Sequence, residues 1–365
     1  MKRINRIIIG GGGTGGHVFP AISIALALKQ KDPGIDILFV GAEKKLEMEK
    51  VPEAGFRIEG LPVAGFQRKI SFKNITFFIK LLRSVRKSAR IIKTFKPDLA
   101  IGVGGYASGP ILRAAARKNI PIAIQEQNSY AGVTNRMLAG KAGKIFVAYE
   151  GMEKYFPAEK IILTGNPVRA DLMDTEKYRK EGLKHFALKE GKPVVLVIGG
   201  SLGSGTINKS ILLGLDRFGK ENQLIWQTGK YYYDSIVKAV GSIGDRLIKI
   251  QPFIRNMEYA FAVADVIVSR AGAGTISELA LVGKPVILVP SPNVAEDHQT
   301  KNAMALSSRN AAIHISDCEA ETGLVNACMT LLDDGKMRKK LSHNIKEMAL
   351  PDSADRIADE ILKMI

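Results

Sequence analysis

Three glycine-rich segments, each lying between an apolar run and a helical pattern, carry the strongest chemical signal in this sequence. They cover residues 10–16, 102–110 and 199–205. Glycines let a backbone approach a diphosphate closely, and the N–H groups that begin the following helix favour an anion. The spacing therefore predicts phosphate-binding loops, and tight strand-to-helix turns are the alternative for each. Three such loops indicate two phosphorylated ligands, or one ligand held across a cleft.

The first loop fits the pattern G-x-G-x-x-G in two registers, and Thr14, Gly15 and Gly16 lead into the helix that follows. A nicotinamide dinucleotide would need an acid at the end of the next strand, about 20 residues on. Glu43 lies beyond that position, which disfavours a dehydrogenase. The loop instead carries His17, and an imidazole with an ordinary pKa of about 6.5 suits a general base. Helix capping or packing is its alternative role.

The elements that must position these loops alternate between strand and helix. The predicted strands are 6–10, 35–40, 97–103, 120–125, 144–148, 193–198, 223–227, 247–250, 266–269 and 285–289. Because the strand–loop–helix order restarts about 190 residues along the chain, we predict an α/β protein. Its two Rossmann-like domains would face each other across a cleft. The predicted domains are 1–164 and 165–348, and the amphipathic helix within 349–365 is expected to pack back on the first.

Composition excludes several classes of protein. The chain has 365 residues, of which 46% are hydrophobic and 24% charged, values typical of globular domains. No stretch approaches 18 uncharged apolar residues, so no membrane span is expected. The apolar run near the N-terminus is too short for a signal peptide. Cys318 and Cys328 match no metal or redox spacing, which predicts two reduced thiols of a cytosolic protein.

The net charge of +17 is concentrated in one part of the chain. Residues 61–120 hold thirteen lysines and arginines but a single acid, Asp98. Such a patch favours an anionic partner, which could be nucleic acid, anionic lipid or a phosphorylated substrate. Residues 75–93 have helical periodicity, with apolar Phe78, Leu81, Leu82, Val85, Ala89 and Ile92 and basic Lys80, Arg83, Lys87 and Arg90. This pattern predicts membrane contact through 66–93, or a crossover helix whose stripe packs on the sheet.

Seven segments, taken in order, resemble the MurG family of glycosyltransferases, glycosyltransferase family 28, over almost the whole chain. They are 12–20 (GGTGGHVFP), 104–110 (GGYASGP), 126–128 (EQN), 165–169 (GNPVR), 199–203 (GGSLG), 270–278 (RAGAGTISE) and 297–303 (DHQTKNA). The sequence departs from some members at Leu202, where they carry glutamine. It also departs at Gln299, where they have two adjacent glutamines. These departures affect the assignment of contacts to sugar hydroxyls.

The resemblance implies a GT-B fold and a defined reaction. N-acetylglucosamine would move from UDP-N-acetylglucosamine to the C4 hydroxyl of the muramoyl sugar of lipid I, with inversion, to give lipid II for peptidoglycan. The first domain would bind this undecaprenyl-linked acceptor and the second the UDP sugar. The enzyme would be peripheral, on the cytoplasmic face of the cell membrane, with cell-wall synthesis and division proteins as partners. No nucleic acid and no cofactor are expected, and the absence of a D-x-D motif predicts no obligatory metal.

A nucleotide sugar needs a ribose anchor and a diphosphate cradle. Glu278, expected in the first turn of the helix that follows the turn at 271–274, could accept two hydrogen bonds from a ribose diol. Its alternative role is a partner for the helix N-terminus. The backbone N–H groups of Ala273, Gly274 and Thr275 could bind the α-phosphate, and the Ser201 hydroxyl a phosphate at another loop.

Other candidates concern the base, the sugar and the leaving group. The resemblance assigns uracil recognition to the backbone at Ile254, for which core packing is the alternative. Arg169, near the predicted linker at 163–167, could offset the charge of the departing diphosphate, or lie on the surface. The side-chain amides of Asn128 and Gln299 both donate and accept, which suits sugar hydroxyls. Asn302 is a further candidate for substrate binding, because it lies in the segment 297–303 that carries the resemblance.

Inversion requires in-line attack by the acceptor hydroxyl, and a general base accelerates such a step by about 10²–10⁴-fold. His17 is the first candidate for that base, and Tyr106 and Glu126 are weaker candidates. Two other functions stay open at this level. One is a UDP-N-acetylglucosamine 2-epimerase acting on a soluble sugar. The other is a non-catalytic protein that binds a nucleotide sugar or a nucleic acid.

Overall fold

The chain forms two compact units, Met1–Val168 with Asp352–Ile365, and Arg169–Pro351. The computed structural model describes all residues except 1–3, 64–72, 169–171, 173, 201–202, 242–246, 295–296 and 365, and only the backbone of 73–78. Both boundaries lie a few residues beyond those expected from the sequence. The first unit is discontinuous in sequence, because the last residues of the chain return to it.

The described part of the first unit is built on a sheet of seven parallel strands in the order β3-β2-β1-β4-β5-β6-β7. The strands are β1 Arg6–Gly10, β2 Asp36–Ala42, β3 Arg57–Leu61, β4 Leu99–Gly102, β5 Ile122–Glu126, β6 Lys144–Val147 and β7 Ile161–Leu163. The helices that connect them are α1 Gly15–Lys31, α2 Glu47–Glu53, α3 Lys73–Phe95, α4 Ser108–Ala116 and α5 Val133–Leu138. The strand order reverses between β1 and β4, which makes the carboxyl ends of these two strands the expected ligand site.

The described part of the second unit repeats this plan with six parallel strands in the order β10-β9-β8-β11-β12-β13. The strands are β8 Val194–Ile198, β9 Gln223–Gln227, β10 Ile248–Gln251, β11 Val266–Ser269, β12 Val286–Leu288 and β13 Ile313–His314. The helices are α6 Arg179–His185, α7 Gly205–Leu213, α8 Tyr233–Val240, α9 Met257–Val263, α10 Ala273–Val282, α11 His298–Ser307, α12 Ala320–Asp333 and α13 Gly335–Glu347. Here the order reverses between β8 and β11.

Both sheets are covered by helices on their two faces, as parallel sheets require. The central strands are fully buried, which explains their continuous Ile and Val runs. The predicted class, α/β with two Rossmann-like domains, is confirmed. Every predicted strand is present, and three strands were not predicted: β3, β7 and β13, each at the edge of its sheet.

Helix α3 is amphipathic, but its faces differ from those the sequence predicts. Ser84 and Ser88 are buried, whereas Leu82 is 59% exposed. Of the predicted apolar stripe, Ile92 is buried and Ala89 is exposed; the side chain of Phe78 lies outside the described part. As a crossover helix between β3 and β4, α3 therefore packs only part of its predicted apolar stripe in the core and leaves another part exposed.

The C-terminal helix, α14 Ser353–Leu362, packs on α1 within the first unit. Ile357 and Ile361 enter the core beneath α1. The ammonium group of Lys144 on β6 donates to the Glu360 carboxylate at 2.6 Å and to its backbone carbonyl at 2.9 Å. Lys363 donates to the other carboxylate oxygen at 2.7 Å. These contacts fasten the end of the chain to the sheet.

This ion pair predicts a pH-dependent contribution to stability. Hydrogen bonds from Lys144 and Lys363 lower the pKa of Glu360 from the ordinary 4.5 to about 2. Because the folded-state pKa lies below the unfolded one, the stabilisation is present above pH 4.5 and is lost as pH falls towards 2. We expect Glu360→Gln to reduce the free energy of unfolding by about 1 kcal/mol at neutral pH. Urea unfolding at several pH values should show that the difference in unfolding free energy between the variant and the unmodified chain becomes smaller as the pH falls from 4.5 towards 2.

The matched control is Glu153→Gln, which changes an exposed glutamate of the same unit. This variant should unfold like the unmodified chain at every pH. A deficit for Glu360→Gln that stays constant from neutral pH down to about pH 3 would show that the charge of Glu360 is not its source.

Candidate functional site

In the first unit, three loops meet at the carboxyl edge of the sheet. They follow β1, β4 and β5, which are neighbours in the sheet, so the parallel strands deliver them to one place. The ring of His17, in the first turn of α1, lies directly against the second loop. A Cβ atom on Gly104 would come within 2.7 Å of the ring Cδ2 and 2.8 Å of Nε2. Gly104, with φ +92°, is therefore required for the imidazole to occupy this position.

The orientation of the His17 ring is set from both sides. Its Nδ1 lies 3.2 Å from the Thr14 hydroxyl, so Nε2 is the nitrogen that faces the second loop. The second loop is held in turn by Gln127, whose amide donates to the Val103 carbonyl at 2.8 Å. The predicted residues Thr14, Gly15, Gly16 and His17 thus lie together, where α1 begins.

Glu47 contacts this loop, and sequence reasoning missed it. Its side chain is 1% exposed. One carboxylate oxygen accepts the Gly13 N–H at 2.9 Å, and the other accepts the Ala42 N–H at 2.7 Å. A Cβ on Gly12 would lie 2.1 Å from this carboxylate, so only glycine permits the approach. Because a protein carboxylate already binds the Gly13 N–H, substrate phosphate must use other donors, such as those at the start of α1.

The remaining candidates of the first unit differ in exposure. Tyr106 is exposed on the second loop. Glu126 is buried, and its oxygens accept from the Asn128 N–H at 3.1 Å, the Gly132 N–H at 2.9 Å and the Asn135 amide at 2.9 Å. The Asn128 amide donates to the same carboxylate at 3.2 Å. Glu126 thereby fixes the turn after β5, and Asn128 is the half-buried side chain that it positions.

In the second unit, the predicted donor site is centred on the start of α10. Ala273, Gly274 and Thr275 are its first three residues, and no acid occupies this first turn, all of which is described. No acid of this turn therefore offsets the positive end of the helix dipole, which favours an anion. Glu278 is the sixth residue of α10 and lies in its second turn. The expected first-turn position of Glu278 is wrong, which also weakens its alternative role as a dipole partner.

A half-buried ion pair holds the loop between β11 and α10. The Arg270 guanidinium lies 2.6 Å from the Asp317 carboxylate and donates to the carbonyls of Val289 and Pro290 at 3.0 and 2.8 Å. Asp317 also accepts from the Thr206 hydroxyl at 2.9 Å. This network joins α7 to the ends of β11 and β12. Arg270 belongs to a recognised segment, but nothing in the sequence indicated its partner.

Ile254 is buried, and its backbone N–H is already bonded. It donates to the Gln227 side-chain oxygen at 2.8 Å, and the Gln227 amide donates to the Gly200 carbonyl at 3.2 Å. Gln227 thus links the loop after β10 to the glycine loop after β8. A base recognised at Ile254 would have to bond to its carbonyl oxygen while this link persists.

The last candidates lie on α11 or outside the described residues. The Gln299 side-chain oxygen accepts the Ser291 N–H at 2.9 Å, which ties α11 to the loop after β12. Asn302 is fully buried and donates to the Ala271 carbonyl at 3.3 Å, so it supports the α10 loop from behind. Arg169 and Ser201 lie outside the described part of the chain. Within that part, no cluster of three or more His, Cys, Asp or Glu side chains could hold a metal ion.

Comparison with known protein families gives two matches. The model of the glycosyltransferase family 28 N-terminal domain matches residues 7–147, and that of the glycosyltransferase family 28 C-terminal domain matches residues 194–357. Each match contains one of the two sheets almost entirely. Apart from Arg169, which lies between the two matches, the predicted donor and acceptor residues lie within the matched segments.

Relatives extend the similarity to the full length. A protein of Parabacteroides distasonis is 55% identical over 99% of this chain and 98% of its own length. One of Cytophaga hutchinsonii is 51% identical over 99% and 97%. Both carry the name UDP-N-acetylglucosamine--N-acetylmuramyl-(pentapeptide) pyrophosphoryl-undecaprenol N-acetylglucosamine transferase.

Solved structures agree with these relatives. The crystal structure of MurG from Acinetobacter baumannii has a TM-score of 0.80 at 28% identity and covers 99% of this chain and 100% of its own. A UDP-GlcNAc 2-epimerase from Neisseria meningitidis has a TM-score of 0.68 at 14% identity, covering 99% and 100%, and shows the fold alone. The resemblance and the GT-B class inferred from the sequence are confirmed. With both of its domains matched and relatives of 51–55% identity along its length, the chain belongs to glycosyltransferase family 28.

Proposed function

We propose that this chain transfers N-acetylglucosamine from UDP-N-acetylglucosamine to the C4 hydroxyl of the muramoyl sugar of lipid I, giving lipid II for peptidoglycan. It is a hexosyltransferase that uses a UDP sugar. The observation that carries the proposal is the full-length identity of 51–55% to enzymes named for this transfer. The epimerase and the non-catalytic alternatives are not favoured, since the epimerase likeness is one of fold only.

The second unit is the proposed donor domain. The start of α10 would bind the diphosphate through Ala273, Gly274 and Thr275, and Ser201 would add a hydroxyl to a phosphate. Glu278, one turn further along α10, would bond the ribose. Uracil would bond to the carbonyl of Ile254 and the sugar hydroxyls to Gln299, while the buried Asn302 supports the loop. What supports this assignment is that these loops all follow strands of one parallel sheet around its switch point.

The first unit is the proposed acceptor domain, with His17 as general base. Its Nε2 would take the proton of the acceptor C4 hydroxyl as that oxygen bonds to the anomeric carbon. The bond from the anomeric carbon to the diphosphate breaks at the same time, and UDP leaves on the opposite face. Arg169 and the α10 N-terminus would stabilise the negative charge of UDP. Asn128 would contact a sugar hydroxyl, Tyr106 is the second candidate for the base, and Glu126 positions the loop.

The acceptor domain also carries the proposed membrane contact. On α3, Ile79 and Leu82 are 47% and 59% exposed. They lie among exposed Lys80, Arg83 and Arg90. Apolar side chains surrounded by cations suit the interface of an anionic bilayer. Among the described helices, none is long and apolar enough to cross a membrane.

The location follows from that contact and from the acceptor. A protein held by one basic amphipathic helix would be peripheral, and we place it on the cytoplasmic face of the cell membrane, where UDP sugars are made. Proteins of cell-wall synthesis and division are further proposed partners, since they would meet this enzyme at the same membrane surface.

The direct test is incubation with radiolabelled UDP-N-acetylglucosamine and a lipid I analogue in detergent. The expected result is labelled lipid product in equal amount to released UDP, and no turnover without the acceptor. Conversion of the UDP sugar to its 2-epimer, or hydrolysis independent of acceptor, would contradict the proposed transfer.

Replacement of Glu278 by alanine tests the ribose contact. Loss of hydrogen bonds to a charged group removes about 1.5–3 kcal/mol, so the donor KM should rise roughly 10- to 100-fold. The acceptor KM should change little, which provides an internal control in the same assay. Glu278→Gln keeps one acceptor oxygen, so its donor KM should lie between those of the unmodified enzyme and the alanine variant. An unchanged donor KM in the alanine variant would rule out the ribose role.

Replacement of His17 by alanine tests the base. We expect kcat to fall by about 10²–10⁴-fold and the donor KM to stay nearly constant. The limb of the pH–rate profile that reports deprotonation of the base should disappear. Thr14→Val removes only the hydroxyl that orients the ring, so its loss of kcat should be smaller and its pH profile should keep that limb. If kcat survives in His17→Ala, the base is another group, with Tyr106 the next candidate.

A further inference from the structure

A groove of about 450 Å³ lies in the first unit between α3, α4 and α5. Its walls are mainly apolar: Leu81 and Val85 come from α3, Pro110 from α4, and Met137 and Leu138 from α5. Met137 is 74% exposed, an unusual position for a long apolar side chain unless something covers it. The volume is within the range of pockets for small organic ligands, about 300–1,000 Å³.

The groove is continuous with the proposed acceptor site. Tyr106, which lines it, belongs to the second glycine loop, and the first residues of α4 form the adjoining wall. That loop is the one against which the His17 ring lies. A ligand whose head group reacts at His17 could therefore extend along the protein into this groove without leaving its surface.

The charge of the lining also restricts the occupant. Arg113 and Lys141 line the groove together with the apolar side chains, and no carboxylate is among the described residues that do so. In the part of the chain that is described, neither cation forms an ion pair with an acid within 4.0 Å. Cations beside an apolar channel fit an amphiphile with an anionic head and a hydrocarbon tail.

We propose that this groove binds the first isoprene units of the acceptor's prenyl chain, with the adjoining diphosphate near Arg113 and the start of α4. The inference rests on the proposed function, which supplies a prenyl diphosphate as acceptor. It is separate from adsorption to the bilayer, because Ile79 and Leu82, the two apolar residues assigned above to the proposed membrane contact, do not line the groove. A pocket of this volume holds only part of a long chain, so the rest would remain in the lipid.

The proposal predicts that the acceptor KM depends on chain length even without a membrane. Two lipid I analogues with identical head groups, one with a ten-carbon and one with a longer prenyl chain, are compared in detergent. The longer chain should give a KM roughly tenfold lower. Met137→Asp and Leu81→Asp should raise the KM of the longer analogue to that of the shorter one. The donor KM and the kcat with the short analogue should not change.

Two variants separate the groove from its surroundings. Val133→Asp places a charge on the same helix as Met137, at a position that is 49% exposed and outside the groove. It should leave both acceptor KM values unchanged. Leu82→Asp is expected to weaken adsorption to vesicles containing anionic lipid while retaining the chain-length dependence in detergent.

The outcomes distinguish the groove from the proposed function. Transfer to both analogues with equal KM in the unmodified enzyme would overturn the groove and leave the function standing. The groove proposal would also be overturned, with the function left standing, if Val133→Asp abolished the chain-length effect as fully as Met137→Asp does. If neither analogue accepts the sugar, the proposed function fails, and the groove proposal fails with it.

Discussion

The buried carboxylate of Glu47 is the contact on which the first glycine loop depends. A buried charge costs several kcal/mol unless its hydrogen bonds are satisfied, and here two backbone N–H groups satisfy it. One of these N–H groups belongs to Gly13. The next residue is Thr14, whose hydroxyl lies beside the His17 ring. The position of the proposed base is thus determined from the protein interior, before any substrate binds.

The second unit solves the same problem with different residues. Arg270 and Asp317 fix the loop before α10, and Gln227 links two neighbouring loops. In both units, buried or half-buried polar groups bond to backbone and hold the loops, while His17 and Glu278, the proposed base and the proposed ribose contact, are half-buried beside them. Such a division favours catalysis, because donors and acceptors that are held in place need no reorganisation in the transition state.

The success and failure of the sequence analysis have a physical pattern. Central strands such as β1 and β8 are buried on both faces, so their apolar runs identified them. The edge strands have one unpaired side and partly exposed residues, which weakens that signal: β10 was predicted, whereas β3, β7 and β13 were missed. The glycine loops were predicted because their backbone needs glycine. Glu47 was missed because its partners are the backbone N–H groups of Gly13 and Ala42, and no residue type signals such a partner.

Helix α3 shows why an amphipathic pattern alone does not determine which face is buried. The helix buries Ser84 and Ser88 and exposes Leu82. The Ser84 hydroxyl bonds to the Lys80 carbonyl of its own helix at 2.7 Å, so it can be buried at little cost. Small serines allow the middle of α3 to pack closely and leave Leu82 directed outward, while Ile91 and Ile92 enter the core. Exposed leucine contributes nothing to folding in water, since about 25 cal/mol per Å² is gained only on burial. The proposed membrane contact would complete the burial of this side chain.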